Sequence, residues 1–113
     1  MKKNNCLTKT KEFEEVFKKG KASHTNEIGV KVLKKHSEGS KFGIMVSTKV
    51  NKRAVVRNKC RRKIREAIRN NINTIKPGYN IVVITRPGIE KLNYKEISKK
   101  LLMVLNRLNI VKK

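Results

Sequence analysis

Between Lys49 and Arg69, ten of twenty-one residues are lysine or arginine, and only one, Glu66, is acidic. Apolar residues run through this stretch at helical spacing: Val56, Cys60, Ile64, Ala67 and Ile68. At about 100° per residue they gather on one side of a helix. Asn58, Arg61, Arg62, Arg65 and Arg69 lie roughly opposite, Arg57 sits at the border, and Lys59 and Lys63 flank the other edge. A guanidinium is a planar fork that matches phosphate oxygens two at a time, so this surface suits binding a polyanion. Like charges four apart, as in Arg57, Arg61, Arg65 and Arg69, each cost a helix a few tenths of a kcal/mol. Phosphates opposite would relieve that repulsion. The blander alternative, an ordinary solvated face, normally carries acids among its bases, and here only Glu66 could pair locally.

The composition points the same way. The chain has 113 residues, enough for one core, with 30 basic and 8 acidic residues and a formal net charge of +22. Such an excess repels itself and attracts phosphate. A membrane surface is the other polyanion to weigh. No apolar run approaches the ~20 residues of a spanning helix, and the first fifteen residues lack the apolar stretch of a secretory signal. The expectation is a cytoplasmic protein with no membrane partner. Cys6 and Cys60 lie far apart and form no zinc pattern with His24 and His36, so both are expected as free thiols. The chain has no aspartate, and its glutamates are scattered. A self-contained metal-dependent active site is therefore not expected, and no catalytic or metal-ligating residue is assigned.

The elements that must hold this surface follow from periodicity. Residues 1–9 read as a flexible basic arm. Thr10 is placed to cap a helix carrying Glu12, Glu14 and Glu15 early, Phe13, Val16 and Phe17 on one face, and Lys18-Lys19-Gly20 as its end. Asn26 to Lys34 alternates, with Ile28, Val30 and Val32 facing one way and Glu27, Gly29 and Lys31 the other, which predicts a half-buried strand. A turn over His36–Ser40 leads to a second alternating strand, Phe42, Ile44 and Val46, and the two are expected to pair as an antiparallel hairpin. The basic helix follows from about Lys52 to Asn71. After a turn at Lys76-Pro77-Gly78, Ile81–Ile84 is apolar without alternation, which suits a strand covered on both faces. Asn93 and Glu96 form a capping box for a last helix with Ile97, Leu101, Val104, Leu105 and Leu108 on one stripe. The expected fold is a single α+β domain over residues 1–113, in the order α-β-β-α-β-α, with a mixed sheet and helices.

The segment Ala54-Val55-Val56-Arg57-Asn58-Lys59-Cys60-Arg61-Arg62-Lys63-Ile64-Arg65-Glu66 resembles the signature helix of the bacterial ribonuclease P protein subunit. That family carries an Arg-Asn-Arg core, further basic residues and an Arg-Glu pair. Lys59 stands at the third position of the triplet, so the charge is kept and the bidentate geometry is lost. The preceding Val46-Ser47-Thr48-Lys49-Val50, the stretch Glu12-Phe13-Glu14-Glu15-Val16-Phe17, the Lys41-Phe42-Gly43-Ile44 strand start and the chain length are also similar to the family. The likeness covers nearly the whole chain.

The resemblance implies the small subunit of a ribonucleoprotein endoribonuclease that removes the 5′ leader from precursor tRNA. The RNA subunit would be the catalyst, its magnesium bound mainly by RNA. The protein alone would be inactive, with the catalytic RNA and precursor tRNA as partners and no protein partner required. It also implies a left-handed βαβ crossover, against the general right-handed preference. Carried onto this chain, the leader cleft would comprise Phe13, Phe17, Lys31, Ser47, Lys49, Arg53 and Arg57. The surface for the RNA subunit would comprise Arg57, Asn58, Lys59, Arg61, Arg62, Arg65 and Arg69. Lys31 occupies a place where relatives often carry an aromatic, so a phosphate contact would replace a stacking one. Without the resemblance, Phe13 and Phe17 read as core; with it, they read as partly buried rings whose free faces stack on bases. Tyr79 and Tyr94 lie beside turns and carry no comparable signal.

Two other functions fit the composition. A ribosomal or other structural rRNA-binding protein would sediment with ribosomes and not with a catalytic RNA. A stand-alone ribonuclease would cut precursor tRNA without RNA, which the lack of aspartate argues against. A DNA-architectural role lacks any groove-reading motif.

Overall fold

The computed structural model describes residues 10–35 and 39–112. The expected arm over residues 1–9 and most of the turn at His36–Ser40 lie outside the described residues. Three helices, α1 (Thr10–Lys19), α2 (Ala54–Asn70) and α3 (Tyr94–Arg107), accompany four strands. These are β1 (Lys21–His24), β2 (Ile28–Lys34), β3 (Lys41–Met45) and β4 (Tyr79–Thr85). Short 3-10 turns at Ile72–Thr74 and Ile89–Lys91 flank β4. Thr10 opens α1 as its first helical residue; the capping role expected of its side chain lies outside what is described.

The four strands form one mixed sheet in the order β1-β2-β4-β3. β1 pairs with β2 and β2 with β4, both antiparallel, while β3 pairs with β4 in parallel. This corrects the sequence expectation in two ways. β2 and β3 do not form a hairpin, because β4 lies between them. Alternation tells which face of a strand is buried but not which strand lies beside it. β4 is apolar on both faces and takes a central position, where both its edges and both its faces are covered. The hairpin that does form joins β1 to β2, so the order is α-β-β-β-α-β-α. β1, Lys-Ala-Ser-His, is a mostly exposed edge strand with no apolar pattern to reveal it.

The sheet is covered on both faces. On one, Ile28, Val30, Val32, Phe42, Ile81 and Val83 pack against Cys60, Ile64, Ala67 and Ile68 of α2 and Ile97, Leu101, Val104 and Leu105 of α3, all buried. On the other, α1 lies over β2 and β4, with Val16 against Val82 and with Phe13, Leu33 and Ile84 around them. Gly20 lets the end of α1 meet β2. A methyl group there would stand 2.5 Å from the Val16 carbonyl oxygen and 2.7 Å from that of Val32. Two ion pairs tie α1 to the sheet side, Glu15–Lys35 at 2.8 Å and Glu12–Lys41 at 3.4 Å. On the far side Lys100 of α3 meets Glu27 at 2.6 Å. α3 carries the expected capping box: the Asn93 side chain accepts from the Glu96 amide, and the Glu96 carboxylate accepts from the Asn93 amide. None of the described helices is long and apolar enough to cross a membrane.

Candidate nucleic-acid interface

The basic surface is built on α2, whose inner stripe of Cys60, Ile64, Ala67 and Ile68 is buried in the main core. Burial pushes the Cys60 thiol above its usual range, more than the nearby Lys63 lowers it. With that stripe anchored, the opposite face must point to solvent, and Asn58, Lys59, Arg62, Arg65 and Arg69 are all exposed. Arg61 is half-buried, and its Nη1 donates to Asn58 Oδ1 at 3.0 Å. Arg69 Nη2 donates to Glu66 Oε1 at 2.6 Å. Among the described residues, Arg69 is the only one of the helix's five arginines paired with a carboxylate. Arg62, Arg65, Glu66 and Arg69 enclose a shallow depression of about 120 Å³. The first turn of α2 has no acid and no side-chain cap, so the positive end of the helix dipole adds to this field.

Arg57 has a different part. Half-buried, it turns Nη1 back to the carbonyl oxygens of Asn51 at 3.1 Å and Lys52 at 2.8 Å. It thereby braces the loop between β3 and α2. Val46 and Val50 are buried and pin that loop, while Ser47, Lys49 and Arg53 stand exposed on it. The Ser47 hydroxyl accepts from the Lys49 amide at 3.2 Å, and Asn51 Oδ1 accepts from the Arg53 amide at 2.9 Å. The loop thus presents its cations in a fixed turn.

The second surface lies on the α1 side of the sheet. Strand register aligns His24, Gly29, Ile84 and Met45 in one row across the four strands, and Ala22, Lys31, Val82 and Gly43 in the next. Neighbouring strands stand about 4.8 Å apart, so Lys31 and Gly43 are separated by two such spacings. α1 overlies β2 and β4 and leaves Met45 on β3 42% exposed. Phe13 and Phe17, alike in sequence, separate here. Phe13 is half-buried against the Val16–Val82 cluster, and Phe17 is 36% exposed. Lys31 Nζ stands 4.8 Å from the centroid of the Phe17 ring, a cation–π contact. The expected cleft residues therefore fall into a pair, Phe17 with Lys31, and a separate loop group of Ser47, Lys49 and Arg53 with Arg57 bracing it. Met45 and Ile84, which the sequence does not single out, pair with each other on this face, as period-two alternation requires once Phe42 and Val83 are buried on the opposite one.

No group of three or more His, Cys or Glu side chains placed to hold a metal ion occurs among the described residues. Most of the glutamates have other partners: Glu12, Glu15, Glu27 and Glu66 pair with cations, and Glu90 and Glu96 accept from backbone amides. The Lys35 hydrogen bond holds the Glu15 carboxyl below the usual glutamate range.

The chain is similar to proteins of one family. The ribonuclease P family model matches residues 1–109. The ribonuclease P protein component of Clostridioides difficile strain 630 is 41% identical over 105 residues, covering 92% of this chain and 91% of its own. The RNase P protein of Staphylococcus aureus superposes with a TM-score of 0.85 at 27% identity, covering 94% of this chain and 96% of that one. The RNase P protein of Thermotoga maritima gives a TM-score of 0.82 at 32% identity, covering 90% and 96%.

Proposed function

Because this chain belongs to the ribonuclease P family, as its protein component, we propose that its two surfaces divide the work of binding between them. The holoenzyme is an endoribonuclease in which RNA is the catalyst, and the protein binds that RNA and the 5′ leader of precursor tRNA. In this reading Asn58, Lys59, Arg61, Arg62, Arg65 and Arg69 dock on the RNA subunit. Phe17 and Lys31 meet the leader, with Ser47, Lys49 and Arg53 lining the other side of its path. Phe13 supports Phe17 from within, and Arg57 holds the loop while offering its remaining donors to phosphate. The connection from β3 through α2 to β4 takes the family's left-handed course. The protein acts in the cytoplasm and needs no second protein.

The observation that carries this reading is the unneutralised ridge on α2. Its apolar side is locked in the core, and among the described residues only one of its five arginines has an acidic partner. Guanidiniums crowded in this way repel one another. Phosphates of a folded RNA remove that cost and release condensed counterions, which gives binding a steep salt dependence. On the other face, an exposed aromatic ring beside an ammonium suits a single strand, with a base on the ring and a phosphate at the cation. Neutralising both RNAs lowers the repulsion between them and holds the leader extended. No residue of this chain is assigned as nucleophile or general base.

Magnesium is the ion the family implies, and the described residues do not fit it. It requires oxygen ligands, often carboxylates, whereas the glutamates with partners here are spent on lysine, arginine or backbone amides. The ion belongs to RNA phosphates, and the protein's part is to make those sites easier to form by adding positive charge nearby.

Reconstitution tests the proposal. Precursor tRNA is incubated at low magnesium with the RNA subunit alone, the protein alone, and both. Cleavage of the leader is expected only, or far faster, with both. Cleavage by the protein alone, or no effect of adding it, would contradict the proposal.

A further inference from the structure

A recess of about 250 Å³ lies between the second half of α2 and the start of α3, walled by Arg62, Lys63, Glu66, Asn70 and Tyr94. Resting on the reading of α2 as an RNA-docking surface, we propose that this recess receives one unpaired nucleobase of the docked RNA, stacked against Tyr94. The volume is below the ~300–1,000 Å³ of pockets that enclose drug-sized molecules, and it suits a single flat ring system.

The walls are held before any ligand arrives. Tyr94 is half-buried, packs against the main core, and directly follows Asn93, whose capping box with Glu96 fixes the backbone at that point. Asn70 Nδ2 donates to the Tyr94 hydroxyl at 2.7 Å. Lys63 Nζ donates to the Leu92 carbonyl oxygen at 3.2 Å and closes the wall between α2 and the segment before α3. A ring fixed in this way loses little freedom when a base stacks on it. The hydroxyl accepts from Asn70, so its own proton remains to be donated, and the Asn70 carbonyl oxygen remains an acceptor. The recess thus offers a flat apolar wall and a polar edge of the kind a base presents.

Charge selects the occupant. Arg62 borders both this recess and the shallow depression formed with Arg65, Glu66 and Arg69. A nucleotide can place its phosphate on that ridge and turn its base inward past Arg62. An apolar side chain of a protein partner would gain nothing from the flanking guanidiniums. The recess therefore continues the phosphate surface and gives it a contact that does not depend on charge.

The test measures dissociation constants for the RNA subunit over a potassium chloride series. It uses the wild-type protein, Tyr94→Phe, Tyr94→Leu, Tyr94→Ala and the pair Arg61→Gln/Arg65→Gln. Stacking on a base releases no counterions, so Tyr94→Leu and Tyr94→Ala should bind about tenfold more weakly at every salt with an unchanged slope. Tyr94→Phe keeps the ring and loses only the contacts of the hydroxyl, so it should fall between wild type and Tyr94→Leu. Tyr94→Leu keeps apolar volume, and thermal melting checks its fold. Chemical probing of the RNA at saturating protein gives a second readout. One unpaired base protected by wild type and Tyr94→Phe should become reactive with Tyr94→Leu. Wild-type affinity for Tyr94→Leu, or an unchanged protection pattern, overturns the proposal for the recess. The arginine pair separates the two readings. A shallower slope upholds docking through α2 whatever Tyr94 does, and wild-type behaviour removes the ground on which both stand.

Discussion

The Lys31 ammonium sits 4.8 Å from the centre of the Phe17 ring, so one face of the most exposed aromatic on the α1 side is already occupied by a cation. The two residues come from different elements, α1 and β2, and meet because Gly20 lets the end of the helix come down onto the strand. A base stacked on the outer face of Phe17 would have the ring between it and the ammonium, which is left to take a phosphate of the same strand. Phe17→Ala should therefore weaken binding of leader-bearing tRNA about tenfold, within the ~1–3 kcal/mol of a stacked base, and leave mature tRNA unaffected. Competition binding with the two RNAs measures this, and equal losses for both would refute the assignment.

Lys31→Gln tests the cationic half of the pair. Removing one phosphate contact to a single strand should lower the slope of log affinity against log salt by ~0.7 for leader-bearing tRNA. An unchanged slope would mean that Lys31 serves Phe17 and not the RNA.

Gly20→Ala tests how closely α1 must approach the sheet. The added methyl would meet two backbone carbonyl oxygens, at 2.5 and 2.7 Å, neither of which can turn aside as a side chain would. A loss of about 1–3 kcal/mol in urea unfolding is expected, in line with overpacking elsewhere. Full stability would show that α1 seats more loosely than described.

The Glu15–Lys35 pair gives a pH dependence of definite sign. The folded-state carboxyl is held below its unfolded value by the lysine hydrogen bond. Its contribution is complete above the ordinary glutamate range and is lost as pH falls through that range towards the lowered folded value. Both side chains are partly exposed, so the effect is small and weakens with salt. Glu15→Gln should flatten this part of the acid limb of the stability curve, and an unchanged acid limb would refute the link.

Cys60 is buried and its thiol is pushed up, so little thiolate forms at neutral pH. In a Cys6→Ser background, iodoacetamide should label Cys60 slowly in the native protein and rapidly in denaturant. Comparable rates would contradict the burial of the α2 stripe.

The sequence revealed α2 and α3 well, because each has a long apolar stripe of helical period, and α3 has a capping box with a defined hydrogen-bond pattern. It also revealed that β4 is covered on both faces. It did not reveal β1, whose Lys-Ala-Ser-His pairs through backbone alone at a sheet edge. Nor did it place β4 between β2 and β3, since side-chain alternation does not encode which strand is the neighbour. The arginine ridge was legible as charge on a periodic frame. The separate parts of Phe13 and Phe17 were not, because one turn of helix decides which ring meets Val82 and which meets Lys31. Arg57 read as a border cation shared by the ridge and the leader cleft, yet its two carbonyl contacts make it the brace of the preceding loop. Tyr94 carried no signal because its meaning depends on Asn70, twenty-four positions earlier.

In the proposed function the α2 ridge docks on folded RNA, and the chemistry takes place on that RNA. The most direct measurement is the affinity of an Arg61→Gln, Arg62→Gln, Arg65→Gln, Arg69→Gln variant for the RNA subunit across a salt series, alongside precursor tRNA cleavage by the reconstituted complex. All four side chains lie outside the buried stripe, so the fold should persist. Loss of several phosphate contacts predicts much weaker binding at low salt, a log–log slope shallower by about 2–4, and a matching loss of cleavage at low magnesium. Wild-type affinity, slope and cleavage from this variant would show that the ridge is not the RNA dock.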